Sequence, residues 1–198
     1  MLEGVTGRVA ERQRARVAEI VGTAWELARE HGVAVVSLHE LARRLGIRQP
    51  SLYTYFDSKN ALYDAMFADG NRALQCRLDE LELPADPVAA LKVFLHAFTG
   101  FAVADPARCA LLFQRPVPGF TPSEESYALA RDVLDRATTV MRAAGIEDPG
   151  DVDCVVAIVA GLIDAQVSND PGGRRWTRHL DRLVDLYLED VGSRKVRP

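Results

Sequence analysis

The chain has 198 residues, 48 % of them apolar and 26 % charged, with a net charge of −4. That length allows one core-bearing domain with a small satellite, and the composition is ordinary for a globular protein. No apolar run approaches the roughly 18 residues needed to cross a bilayer, and the polar N-terminus MLEGVTGRVAERQRAR lacks the apolar centre of a secretory leader.

Three cysteines, Cys76, Cys109 and Cys154, are odd in number, far apart and form no C-x-x-C pair. The pattern suits reduced thiols in a cytoplasm and argues against a disulfide framework or a zinc site. Residues 1–58 carry eight arginines against seven carboxylates, while the remainder carries sixteen basic residues against twenty-one acidic ones. Such a near-neutral head on an acidic body permits nucleic-acid binding without requiring it.

Nearly every periodic segment reads as helix. Val17, Ile20, Val21, Ala24, Leu27 and Ala28 follow i, i+3, i+4, i+7 spacing, and His31-Gly32 ends that helix. After the apolar loop VAVV, residues 37–46 read SLHELARRLG. Ser37 and Glu40 match a capping box, in which the carboxylate reaches back to the cap's own N–H. Leu38, Leu41, Ala42 and Leu45 form the apolar stripe, and Gly46 closes the helix. Three residues later Pro50 suits the first turn of a third helix. Asp57-Ser58 marks a new start, and a longer helix is expected over 59–81.

The second half is more apolar. Helices are expected over 88–104, 106–114, 123–145, 148–169 and 174–191. The segment RPVPGFTP holds three prolines and reads as a loop. The tail GSRKVRP is expected to fray. No strand, repeat or low-complexity segment is found. The fold class is therefore all-α, with about nine helices.

Two short helices joined by a glycine-bearing turn form a helix-turn-helix pattern, whose second helix enters the DNA major groove. Leu38, Leu41, Ala42, Leu45, Ile47, Leu52 and Phe56 can pack the short helices together. Gln49, Ser51, Tyr53, Thr54 and Tyr55 are then left on or near the outer face. A glutamine can read an adenine edge, and hydroxyls can donate to phosphates or bases.

The run LARRLGIRQPSLYTYFDSKNALYDAM resembles the N-terminal DNA-binding domain of the tetracycline-repressor (TetR) family of bacterial one-component regulators. There, the turn is followed by a small residue, Leu-Tyr, an aromatic pair and a lysine opening the fourth helix. Here these are Ser51, Leu52-Tyr53, Tyr55-Phe56 and Lys59. The resemblance covers residues 11–70, and the remainder agrees in length and helix count. It implies that Gln49, Pro50, Ser51, Tyr53, Thr54, Tyr55 and Lys59 face DNA, with Ser37 and His39 near the operator. Arg48, in the turn, is within reach of a base or a phosphate. Arg12, Arg14 and Arg16 fit phosphate contacts or a plain solvated face.

The same resemblance implies a head at 1–58, linked by the 59–81 helix, and an effector-binding and dimerisation domain at 59–198. A small apolar or amphipathic effector would have Phe94, Phe98, Phe101, Phe113, Tyr127 and Trp176 as walls. His96, Cys109, Gln114 and Asp164 would be polar anchors, although aromatics at helical spacing equally fit a plain core. For a homodimer, the run DCVVAIVAGLI supplies Val155, Val159 and Leu162, and the last helix supplies Leu180, Leu183, Val184 and Tyr187. Two such helices from each chain would make a four-helix bundle.

No nucleophile–base pair, H-E-x-x-H spacing or phosphate-cradling glycine loop is present, so no catalytic residue, metal or cofactor is expected. The function expected is a ligand-responsive repressor of palindromic double-stranded operator DNA. The alternative is a helical ligand-binding or interaction protein of the same fold that does not read specific DNA.

Overall fold

The computed structural model describes residues 3–196, with side chains from 10 to 194. Helix α1 spans Glu3–His31, α2 Leu38–Arg44, α3 Gln49–Leu52, α4 Lys59–Asp79 and α5 Pro87–Ala104. They are followed by α6 Pro106–Phe113, α7 Glu124–Ala143, α8 Pro149–Asn169 and α9 Leu180–Val196. Short 3-10 turns occur at Val33–Val35 and Thr177–His179, and no strand occurs among the described residues. The all-α architecture is as expected. Helix α1 starts well before the apolar stripe because its polar first half is rich in good helix formers, and α9 continues past the expected end at 191.

The helices form two compact units. The first runs through Gly70 and takes in Ala107–Tyr127; the second is Asn71–Pro106 with the chain from Ala128 onward. The boundary expected at 58–59 falls inside the first unit.

In the first unit, Ile20, Ala24, Leu27, Leu41, Ala42, Leu52, Phe56 and Leu62 are buried. A fully buried side chain of this kind contributes roughly 1.5–3 kcal/mol. Helix α2 begins as half a capping box: the Ser37 hydroxyl accepts the Glu40 N–H at 3.4 Å. The reciprocal bond expected from Glu40 does not form. Its carboxylate instead takes the Arg43 fork at 2.7 and 2.8 Å and Arg44 Nε at 3.3 Å. Charge-assisted, two-pronged bonds outcompete a bond to a neutral backbone N–H. Arg44 also reaches back to Glu30 of α1, at 2.7 Å through Nη1. Arg43, and then Arg44, hold the Glu40 carboxyl at about 2, well below its ordinary 4.5.

Helix α2 ends in a Schellman turn. Ile47 N–H bonds Ala42 C=O at 3.0 Å and Gly46 N–H bonds Arg43 C=O at 3.2 Å. Gly46 sits at φ +65°, the left-handed region that costs a side-chain-bearing residue strain.

Helix α4 carries the rest of this unit. The buried Tyr63 hydroxyl donates to Val33 C=O at 2.8 Å, and burial pushes its pKa up to about 12. Asp69 accepts Trp25 Nε1–H at 2.8 Å. Asp64 accepts three bonds from the start of α7: Ser123 N–H at 2.7 Å and the Ser123 and Ser126 hydroxyls at 2.8 Å each. The proline-rich connection before α7 is therefore docked. Its Phe120 ring lies 5.8 Å from that of Tyr63 and 6.4 Å from that of Phe67.

In the second unit α9 runs antiparallel to both α5 and α8. Lys92 Nζ pairs with Asp185 at 2.6 Å and His96 Nε2 with Asp181 at 2.7 Å, fixing α5 against α9. At the other face the buried Asp151 of α8 accepts the Tyr187 hydroxyl at 2.7 Å and Arg194 at 2.6 Å. Gln166 Oε1 accepts Trp176 N–H at 2.9 Å and Thr177 N–H at 3.3 Å. Contrary to the expectation of no membrane-length apolar run, α5 is long and apolar enough to cross a bilayer, with a mean hydropathy of 1.5. Leu91, Phe94 and Leu95 are instead buried, and α5 packs on α8 and α9.

Two outcomes test these clamps. Asp64→Ala leaves three donors without an acceptor, one on the buried Ser126, and should lower stability by about 2–3 kcal/mol in denaturant unfolding; a loss under about 0.5 kcal/mol would show the clamp to be idle. Glu40→Gln should lower Tm at neutral pH. Because the native carboxyl is depressed from 4.5 to about 2, that gap should persist above about pH 4.5 and close as pH falls towards 2; a gap independent of pH would contradict the pairing.

Candidate nucleic-acid interface

Helix α3 is shorter than the sequence suggested, yet its periodic placement continues. Tyr53, Thr54 and Tyr55 N–H groups bond Pro50, Ser51 and Leu52 C=O at 3.2, 3.3 and 2.9 Å. Phe56 N–H also bonds Leu52 C=O, at 3.0 Å. Along this segment Leu52 and Phe56 are only 2 % and 8 % exposed, whereas Tyr53 is 48 % exposed. Arg48, Pro50, Ser51 and Thr54 are exposed, and Gln49, Tyr55 and Lys59 are half-buried. Ser37 and His39, at the start of α2, are exposed as well.

The surface of α2, the turn and α3 therefore offers an amide, three hydroxyls beyond Ser37 and one phenol half covered. Its cations are unequal. Arg43 and Arg44 are held by Glu40 and Glu30. Arg48 forms no ion pair among the described residues, and Lys59 Nζ lies 5.4 Å from the centroid of the Tyr63 ring, a cation–π contact between residues one turn apart. In the α1 arm, Arg16 pairs with Glu19 at 2.6 Å, while Arg12 and Arg14 are exposed.

The residues expected to hold an effector come from both units. Cys109, Phe113, Gln114 and Tyr127 belong to the first unit; Phe94, His96, Phe98, Phe101, Asp164 and Trp176 belong to the second. Within the second unit Phe94 is 4 % exposed, a core residue. His96 is exposed and taken by Asp181, so it is an ion-pair partner there. Asp164 is exposed on α8, and Phe98, Phe101 and Trp176 are half-buried.

The residues expected at a dimer seam lie on α8 and α9. Val155, Val159, Leu162, Leu180 and Val184 are between 0 % and 6 % exposed within a single chain. Leu183 and Tyr187 join Val155, Val159 and Val184 in lining a shallow apolar crevice in the second unit. A residue already covered by its own chain has little area left for a partner. The opposite face of α8 remains open: Val156 is 48 % exposed, and Ala157, Ala160, Gly161 and Asp164 are exposed with it. On α9, Leu186 is 51 % exposed.

Sequence reasoning missed two long-range pairs that hold α4 within the first unit. Asp64 meets Ser123 and Ser126 across some sixty residues, and Asp69 meets Trp25 across more than forty, so no local pattern announces either. The Lys59–Tyr63 pair, by contrast, stands at i,i+4 spacing and was open to detection.

Comparison with known proteins agrees with this geometry. Residues 20–66 match the family model "Bacterial regulatory proteins, tetR family". Residues 91–191, about half of the chain, match "Tetracyclin repressor-like, C-terminal domain". The chain is 32 % identical over 139 residues to the HTH-type transcriptional regulator Rv1816 of Mycobacterium tuberculosis, covering 65 % of this chain and 58 % of that protein. It thus spans about six-tenths of the length of that relative. Over 47 residues it is 43 % identical to the class C tetracycline repressor of Escherichia coli, covering 24 % of this chain and 22 % of that one. In fold it is similar to the TetR family transcriptional regulator PfmR from Thermus thermophilus, with a TM-score of 0.62 at 18 % identity, covering 87 % and 96 % of the two chains. It is similar also to BioQ, solved with its double-stranded DNA operator, at a TM-score of 0.61 and 17 % identity over 89 % and 98 %. With a helix-turn-helix whose apolar residues are turned in and whose polar ones are turned out, the chain belongs to the TetR family of transcriptional regulators.

Proposed function

We propose that the protein is a cytoplasmic, ligand-responsive repressor that binds a palindromic operator as a homodimer and leaves it when a small apolar or amphipathic effector binds. The observation that carries the DNA-reading part is the polarity of one short segment. Leu52 and Phe56 are buried while Arg48, Ser51, Tyr53 and Thr54 are exposed, so the segment is anchored from behind and presents donors and acceptors in front. Gln49, Tyr53 and Thr54 read base edges, while Arg48 and Lys59 meet phosphates. No metal or cofactor enters this reading.

One head reads too few base pairs for specificity, so two must act together, about 34–36 Å apart on successive major grooves. The open face of α8, with Val156, Ala157, Ala160 and Gly161, is the surface proposed for the partner. Small residues there let two helix backbones approach closely, and Leu186 of α9 adds apolar area. An effector that binds one arrangement of the heads better than the other shifts their population and lowers operator affinity.

The paired substitutions Tyr53→Ala and Leu52→Ala separate reading from packing. Tyr53→Ala should leave Tm within about 2 °C and abolish specific binding to inverted repeats upstream of its own gene in a mobility-shift assay. Leu52→Ala should cost about 2–5 kcal/mol of head stability. Unfolding of the head by Tyr53→Ala would overturn the face assignment. Arg48→Ala should weaken binding to all duplexes and reduce the slope of log K against log salt by about 0.9 per head; an unchanged slope would remove Arg48 from the phosphate contacts. Val156→Arg should convert the dimer to monomer in sedimentation while α-helical content is kept, and a dimer that persists would place the interface elsewhere.

A further inference from the structure

The cations of the head are held in two ways. Arg43 and Arg44 are gripped by the carboxylates of Glu40 and Glu30, which fix them and offset their charge together. Lys59 is held by an uncharged group. Its Nζ lies 5.4 Å from the centroid of the Tyr63 ring, within the range of a cation–π contact. A neutral ring fixes the ammonium without cancelling its charge, and it is uncancelled charge that displaces counterions from a phosphate backbone. The contact also offsets a local cost, because Lys59 is the first residue of α4, where the helix dipole disfavours a cation.

The ring itself is fixed from other directions. Tyr63 is 1 % exposed. Its hydroxyl lies 2.8 Å from Val33 C=O and 3.3 Å from Ala34 C=O, in the 3-10 turn that leads into α2. The Phe120 ring meets it with centroids 5.8 Å apart and planes tilted by 49°, a separation at which aromatic pairs attract. Phe120 is set in place by Phe67, edge to face at 6.4 Å, and by Asp64, which binds Ser123 further along the same connection. All of these contacts lie within the first unit. A lysine side chain loses much rotamer entropy when a phosphate fixes it. One already confined against a rigid ring loses less and binds more tightly.

We propose that Tyr63, braced by Phe120, is a positioning residue for DNA binding: its ring holds the Lys59 ammonium, at full charge, for an operator phosphate. Being buried, Tyr63 touches no DNA and acts through Lys59. The assignment rests on the DNA-reading proposal, in which Lys59 meets a phosphate.

The chain has three lysines, Lys59, Lys92 and Lys195, so ¹³C-lysine labelling of the full-length protein gives a simple spectrum of the ε-methylene groups. Lys59 is assigned by its loss in Lys59→Met, and Lys92, paired with Asp185, is the internal control. The Lys59 ε-protons should be shifted upfield by the tyrosine ring relative to those of Lys92. The shift should persist when a duplex carrying the inverted repeat upstream of its own gene is bound. Its disappearance on binding would show that the lysine leaves the ring to reach DNA, and would overturn the assignment. Affinities for the same duplex close a double-mutant cycle. Tyr63→Leu should weaken binding about tenfold for the two heads together, but less than about twofold when Lys59 is already methionine. Tyr63→Phe, which keeps the ring and loses the hydroxyl bond, should lower Tm yet bind within about twofold of the unsubstituted protein. A ring with only a structural role gives the same loss with and without Lys59, which would equally overturn the proposal. The lysine spectrum is read on the unsubstituted protein, so it decides the matter even if Tyr63→Leu does not fold. A protein that binds no inverted repeat sinks the DNA reading; specific binding with additive losses sinks this assignment alone.

Discussion

A helix of four residues, Gln49–Leu52, closes too few hydrogen bonds to be stable by itself, so its placement rests on the burial of Leu52 and Phe56 in the head. These two residues are four apart, and their burial fixes which side of the segment faces outward. Everything proposed for DNA recognition follows from that. With the back of the segment held, Ser51, Tyr53 and Thr54 have no other side to occupy. Gly46 makes the geometry possible by turning the chain through a left-handed residue between the two helices.

Around this anchor, charge is used for stiffness more than for reach. Glu40 and Glu30 hold Arg43 and Arg44 and tie α2 to α1, leaving Arg48 and Lys59 as the cations nearest the reading face. The head therefore reads as an amide-and-hydroxyl surface with a light cationic border, in keeping with an acidic protein that must not bind every duplex. Asp64 and Asp69 extend the same stiffness along α4. Asp64 takes in the start of α7 and Asp69 takes Trp25 of α1, so the unit that carries the reading face includes Ala107–Tyr127.

The parts legible in the sequence were those encoded locally. Helix ends marked by Ser37, Gly46, Pro50 and Ser58 lie where spacing placed them, and the inward Leu52 and Phe56 follow from periodicity. Other features required tertiary knowledge. Glu40 could turn back to its cap or forward to two arginines, and spacing does not choose between them; the two-pronged bond to Arg43 does. Periodicity found the apolar stripe of α8 but not what covers it: Val155, Val159 and Leu162 are covered by the chain's own helices, and the face left exposed is the one with small residues. The aromatic set offered for an effector comes from both units, a division that residue type alone does not announce.

DNA recognition as proposed requires the segment from Arg48 to Thr54 to read sequence in a two-fold symmetric assembly. Selection of bound duplexes from a random double-stranded library by the purified full-length protein tests it most directly. One inverted repeat should be enriched, its half-sites separated by about one helical turn or a multiple of it. A folded, dimeric protein that retains the library without enriching any sequence would contradict it.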